Sequence, residues 1–211
     1  MALHYDGEIR INKLTLGWFE ANCYIVTCPQ TGESLIIDTP IEAPKILAEA
    51  GDKVRYIVIT HAHGDHVGAL REVQARTGAA VAAHPLDSPA LPLAPNIALS
   101  DGDELRVGGV TMKVIHTPGH TPGSICLLSG KHLFSADTIF PHGPGRTGSP
   151  ADLRQIIERI TTKLFVLPDE TLVYPGHGLD TVLGEEKKEY ALFAARSHAP
   201  GLCGDVLWLD R

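Results

Sequence analysis

Hydrophobic positions along the 211 residues gather into short blocks separated by a few longer periodic stretches. Residues 23–27 (CYIVT), 34–38 (SLIID), 56–60 (YIVIT), 111–116 (TMKVIH), 124–128 (SICLL), 132–136 (HLFSA) and 171–175 (TLVYP) are rich in β-branched and apolar side chains and predict strands. Several are apolar throughout rather than at every second position, which predicts sheets covered on both faces. Residues 149–164 (SPADLRQIIERITTKL) predict a helix capped by Ser149, with Pro150 at its first position. Leu153, Ile156, Ile157, Ile160 and Leu164 make its apolar stripe. A second helix is predicted over 67–78, with Val67, Leu70 and Val73 facing inward and Gly78 as its stop. A third is predicted over 185–196. Residues 84–96 (HPLDSPALPLAPN) are proline-rich and predict an irregular surface loop. No long-period repeat and no second-domain boundary is evident, so one α/β domain over 1–211 is expected.

Composition narrows the function classes. A hydrophobic share of 44% in a chain of this length is enough for a substantial core without covalent staples. The formal net charge is −7, and Lys and Arg form no cluster outside a helix face, which argues against a nucleic-acid surface. No apolar run approaches a membrane span, and the first residues (MALHYDGEIRINKL) are charged where a signal peptide needs an apolar stretch. Cys23, Cys28, Cys126 and Cys203 form no C-x-x-C pair, so neither a disulfide framework nor a cysteine-based zinc ribbon is expected. They read as small buried hydrophobes, and the location expected is cytoplasmic, away from membranes.

The chemistry is concentrated in residues 60–68 (THAHGDHVG), which carry His61, His63, Asp65 and His66. Imidazole and carboxylate both hold divalent metals. Three other segments each place a ligand-competent side chain soon after a predicted strand: His120 follows 111–116, Asp137 follows 132–136 and His177 follows 171–175. Strand ends along one sheet edge are where loops converge on active sites in α/β proteins. His4, His132 and His198 have no such company and read as surface residues. His84 and His116 follow strands near the site and could support it or merely pack. Asp38 could orient a ligand histidine or cap a turn.

The order THAHGDH, HTPGHTPGS, SADTIF and VYPGHG, spanning Thr60 to Gly178, resembles the metallo-β-lactamase superfamily. NCYIV and IIDTP near the start extend the likeness. The resemblance implies an αββα sandwich with two mixed sheets and two metals at one edge. It implies His61, His63 and His120 on the first metal, Asp65, His66 and His177 on the second, and Asp137 between them. Two carboxylates leave residual positive charge on two divalent ions, enough to generate a bridging hydroxide near neutral pH. Asp65 would also orient that hydroxide, and no serine or cysteine nucleophile is required. Zinc is expected, with iron or manganese as alternatives for a nitrogen–oxygen site.

An aspartate at 137, where lactamases proper carry cysteine or serine, argues against antibiotic hydrolysis. The run from GRTG to GEEKK resembles short glyoxalase II-like hydrolases, which cleave thioesters such as S-lactoylglutathione. By that likeness Arg146 binds the acidic part of the substrate, with His142 in the same loop (PHGPGRTG) as a second candidate contact. About 34 residues follow His177, too few for the separate C-terminal helical domain of longer glyoxalases II, and Gly148 and the GLD after His177 stand where aromatic residues are expected. The expectation is therefore a compact dinuclear hydrolase of a small thioester or ester. An acyl-lactone hydrolase and a mononuclear iron persulfide dioxygenase are the alternatives.

Overall fold

The computed structural model describes residues 3–209. A first sheet contains β1 (Leu3–Asp6), β2 (Arg10–Leu16), β3 (Ala21–Thr27), β4 (Ser34–Ile37), β5 (Val54–Ile59), β6 (Ala80–Ala83) and β7 (Ile97–Ala98), hydrogen-bonded in that order. Its first four strands are antiparallel and its last four, counting β4 in both sets, are parallel. A second sheet contains β8 (Glu104–Val107), β9 (Val110–His116), β10 (Ile125–Ser129), β11 (His132–Ala136), β14 (Leu172–Pro175) and β15 (Thr181–Val182), in the order β15-β14-β11-β10-β9-β8. Here β11 and β14 run parallel and the other pairs antiparallel. A small hairpin, β12 (Ile139–Phe140) with β13 (Gly143–Pro144), leaves the edge of the second sheet.

The two sheets stack face to face with helices outside, which gives the αββα sandwich. Period-two alternation sorts the side chains between layers. Tyr24 and Val26 on β3, Leu35 and Ile37 on β4, and Val58 on β5 meet Met112, Val114, Leu127 and Phe134 from the other sheet. The intervening Ile25, Ile36, Ile57 and Ile59 point outward onto α1 (Ala43–Ala50) and α3 (Leu70–Thr77) through Ile46, Leu70 and Val73. On the far side, Cys126, Leu133 and Val173 meet Leu153, Ile156 and Phe193 of α4 (Pro150–Arg159) and α5 (Leu183–Ala194). Apolar residues at every strand position are thus explained: both faces of each central strand are covered.

Helix α4 begins as the sequence predicts, with the Ser149 side chain accepting from the Asp152 N–H and Pro150 in the first turn. It continues through a π-type turn over Ile160–Leu164. The helix predicted over 67–78 is interrupted. A short α2 (Gly64–Val67) stops before Ala69, whose N–H turns to the Thr39 and Pro40 carbonyls, and α3 starts at Leu70. Thr39 N–H in turn donates to the His66 carbonyl. This exchange fastens the first turn to the β4–α1 loop and lets His66 face the sheet edge. His132, read as a surface residue, is instead wholly buried in β11, with its ring nitrogens at Tyr174 Oη and Glu8. All four cysteines are free thiols, and all but Cys203 are buried. No helix among the described residues is long and apolar enough to cross a membrane.

Candidate metal centre

Four loops meet where the strands of both sheets end. His61 follows β5, His120 lies between β9 and β10, Asp137 follows β11, and His177 follows β14. Because β11 and β14 are parallel and pair Ala136 with Pro175, Asp137 and His177 leave the sheet side by side. Gly176 between them is required by packing: a Cβ there would lie 2.1 Å from Asp137 Oδ1. The two sheets are tied at this edge by Ile125 N–H donating to the Thr60 carbonyl at 3.0 Å.

The seven predicted ligands come together as two trios around one carboxylate. His61, His63 and His120 form the first trio, with His120 Nε2 2.9 Å from His63 Nδ1. Asp65, His66 and His177 form the second, with His66 Nε2 3.1 Å from His177 Nε2 and Asp65 Oδ2 3.4 Å from His177 Nε2. Asp137 stands between them: Oδ2 is 3.4 Å from His120 Nε2 and 3.7 Å from His177 Nε2, and Oδ1 is 3.5 Å from His66 Nε2. His61, His66 and Asp137 make a buried floor, while His63, His120 and His177 form the more open rim.

These distances and the hydrogen-bond pattern fit two cations. Donor atoms around one tetrahedral ion at 2.0–2.2 Å are separated by about 3.3 Å. Hydrogen bonds at Nδ1 orient four imidazoles so that Nε2 points into the site, a lone pair there whenever the ring is neutral. His66 Nδ1–H donates to Asp38 Oδ2 at 2.9 Å, His120 Nδ1–H to the Arg146 carbonyl at 2.8 Å, and His177 Nδ1–H to the Phe19 carbonyl at 2.8 Å. Thr60 Oγ1 gives its proton to Asp38 and so accepts from His61 Nδ1–H at 3.1 Å. Buried His61 Nε2 and Asp137 Oδ1 have no hydrogen-bond partner among the described residues. Lone pairs aimed at one another and at a carboxylate repel unless positive charge lies among them.

The electrostatics agree. Burial and the neighbouring His66, His120, His63 and His177 hold His61 well below the usual imidazole range, in the neutral form a metal needs. Burial and His120 lower His63 as well. Burial also opposes charge on His66, but the hydrogen bond and charge of Asp38, then Asp137 and Asp65, raise it to about 9. Without metal, a proton on His66 therefore occupies the direction in which a cation would sit.

Asp38 also falls within ligand distance of His61 and His66. Its oxygens are already engaged by Thr60 N–H, Thr60 Oγ1–H and His66 Nδ1–H, so it orients His66. It leaves β4 in a left-handed conformation (φ 57°), which ends the strand one residue before the sequence predicts. Arg146 stands at the rim of a cleft of about 330 Å³ whose lining includes His120, Asp137, His177, Phe140 and Leu207. Its guanidinium is exposed and lies 3.8 Å from Asp205. His142 turns onto α5, with Nδ1 3.0 Å from both Glu189 oxygens, and its backbone N–H donates to Glu186. The His84 and His116 rings stack on each other at 3.9 Å beside the site and contribute to neither trio. Sequence reasoning passed over Thr60, the Phe19 carbonyl and Asp87, which accepts from both ligand loops. The doubled T-P-G motif was the available signal for Asp87, since close glycines imply a close partner.

Comparison with known proteins gives one consistent family. The metallo-β-lactamase superfamily model matches residues 16–177. A hydroxyacylglutathione hydrolase from a Polaromonas species is 38% identical over 161 residues, 73% of this chain and 60% of that protein. This chain thus spans about 60% of the length of the hydroxyacylglutathione hydrolases it matches. The crystal structure of ETHE1 from Myxococcus xanthus superposes with a TM-score of 0.77 at 31% identity, covering 89% of this chain and 85% of that one. TTHA1623, crystallised in a di-iron-bound form, gives a TM-score of 0.72 at 34% identity, covering 83% and 96%. With the fold, the ordered motifs and the clustered histidines and aspartates in agreement, the chain belongs to the metallo-β-lactamase superfamily.

Proposed function

We propose that this protein is a dinuclear metal-dependent hydrolase of a small thioester or ester, on the glyoxalase II-like branch of its superfamily. The observation that carries this reading is the convergence, from four loops, of five imidazoles and two carboxylates as two adjacent trios with Asp137 between them. In it His61, His63 and His120 would hold one ion and Asp65, His66 and His177 the other, with Asp137 available to both. Two divalent cations there would acidify a water molecule and polarise the scissile carbonyl.

The chain's own groups supply the rest. Asp65 is half-buried at the mouth, so one carboxylate oxygen can accept a proton from the attacking water and direct its lone pair at the carbonyl. Asp137, on the floor, places one carboxylate within 3.4–3.7 Å of ligand nitrogens from both trios and so could serve either ion. The cleft beside His120 and His177 receives the acyl or thiol portion, and Arg146 at its rim binds a carboxylate on the substrate. His142 would reach substrate only by leaving Glu189. Asp205 across from Arg146 lowers the preference for strongly anionic substrates, which favours a compact thioester over a full glutathione conjugate. The relative crystallised with two irons supports a two-metal reading and makes iron a candidate beside zinc and manganese.

The test is metal content of the purified protein measured alongside turnover of S-lactoylglutathione, an aryl thioester, an acyl-homoserine lactone and glutathione persulfide, with oxygen uptake recorded. Two metals per chain with thioester cleavage is the expected result. Preference for the lactone would move the assignment to the lactone hydrolases. One iron per chain with oxygen consumption would replace hydrolysis by persulfide oxidation.

A further inference from the structure

The proline-rich stretch 84–96 is the segment for which the metal-centre reading finds no use, yet it carries one of the few buried carboxylates in the molecule. Asp87 is 5% exposed. Its Oδ2 accepts from the Ala62 N–H at 2.9 Å and from Thr121 Oγ1–H at 2.7 Å, and its Oδ1 accepts from the Gly123 N–H at 2.7 Å. Ala62 lies between His61 and His63, and Thr121 is next to His120. One carboxylate therefore joins the two loops that supply the three-histidine trio. The turn carrying it is itself held, since the Asp87 and Ser88 N–H groups both donate to the His84 carbonyl.

From this we infer that Asp87 is a positioning residue, which clamps the His120 loop to the His61–His63 loop and pre-forms the three-histidine half of the metal centre. The inference rests on the metal-centre reading above. Two further features support it. A Cβ at Gly123 would lie 2.5 Å from Asp87 Oδ1 and 2.7 Å from its Cγ, so the second glycine of the T-P-G repeat is the space into which this carboxylate fits. The second trio is braced by other groups altogether, Asp38 for His66 and the Phe19 carbonyl for His177. Three donors converge on one side chain here, and an ionised carboxylate is acceptor-only. An amide in its place would turn an NH₂ group toward one of those N–H or O–H donors.

The prediction is a selective loss of affinity in one half of the centre. Zn²⁺ affinity is measured by competitive chelator titration of metal-free protein in two backgrounds. His177→Ala keeps the three-histidine trio intact, and His63→Ala keeps the Asp65–His66–His177 trio intact. Asp87→Asn should weaken Zn²⁺ binding roughly 10- to 100-fold in the first background, the range typical of losing a group that orients a ligand. It should leave the second background unchanged. Thr121→Val, which removes only one of the three donors, should act in the same direction, and Thr121→Ser should restore binding; this pair carries the test if Asp87→Asn does not fold. Equal losses in both backgrounds would mean a general structural role and would overturn the inference, as would no loss in the first. Wild-type protein that binds two Zn²⁺ ions, with Asp87→Asn matching its parent in both backgrounds, leaves the metal centre standing and removes only the clamp. Wild-type protein that takes fewer than two ions would bring down both.

Discussion

Gly176→Ala is the sharpest test of the centre, because it adds one methyl group and alters no ligand. Its φ is not in the left-handed region, so the backbone accepts alanine and the perturbation is purely steric. The new Cβ would stand 2.1 Å from Asp137 Oδ1 and 2.9 Å from His66 Cε1, whereas ordinary contact begins at 3.4 Å. The carboxylate or the β14 loop must therefore give way by about 1.3 Å, the difference between 3.4 and 2.1 Å. Asp137 is nearly buried against Ala136 and the histidines and has little room to retreat. Overpacking of this kind costs about 1–3 kcal/mol of stability, which for a chain of this size lowers Tm by roughly 2–12 °C. The functional loss should be larger in proportion, since misplacing a catalytic group by about 1 Å can cost on the order of 100-fold in rate. Metal content, kcat/KM on an aryl thioester and Tm would be measured together. A variant with two bound metals and wild-type turnover would refute the placement of Asp137 between the trios.

Three other expectations come from the same geometry. Asp38→Ala strips a buried partner from His66 and the acceptor from two Thr60 donors, so the metal-free protein should lose about 3–5 kcal/mol by urea unfolding, with metal affinity falling as well; a loss under about 1 kcal/mol, the scale of an exposed pair, would show that the pair is not buried as described. Metal loading should release a proton from His66 at pH 7.5, detectable with an indicator dye, and the release should fade as the pH passes about 9; because the folded pKa lies above the ordinary 6.5, His66 stabilises the metal-free fold fully below 6.5 and loses that contribution as the pH rises through about 9. Asp205→Asn should raise kcat/KM for an anionic thioester by a few-fold at low salt, matching an exposed pair worth about 1 kcal/mol or less, and leave a neutral aryl thioester unchanged; equal effects on both substrates would dissociate Arg146 from substrate charge.

The amino-acid sequence by itself determined the chemistry carried by residue type. Histidine and aspartate announce themselves, and their positions just after apolar β-branched runs imply a shared edge, because strand ends collect on one side of an α/β sheet. The apolar runs 23–26, 35–37 and 56–59 within β3, β4 and β5 likewise signalled coverage on both faces. Less legible were α1 and the strands β1, β2, β6, β7 and β8. Of these β6 is alanine-rich, a composition that favours helix in isolation, and it becomes a strand only by pairing with β5. The interrupted helix at 64–77 was equally hidden, since the groups that divert it at Ala69 belong to Thr39 and Pro40, about 30 residues earlier.

The supports of the centre belong wholly to the tertiary structure. A backbone carbonyl such as that of Phe19 has no sequence signature, Thr60 looks like any strand residue, and Asp87 sits in a stretch whose prolines advertise only a loop. Side-chain type alone determined which atoms can bind a metal. Which lone pair each ring presents, and what holds it there, was decided by hydrogen bonds to groups up to 158 residues away, because an imidazole's tautomer is set by its neighbour and not by its own identity.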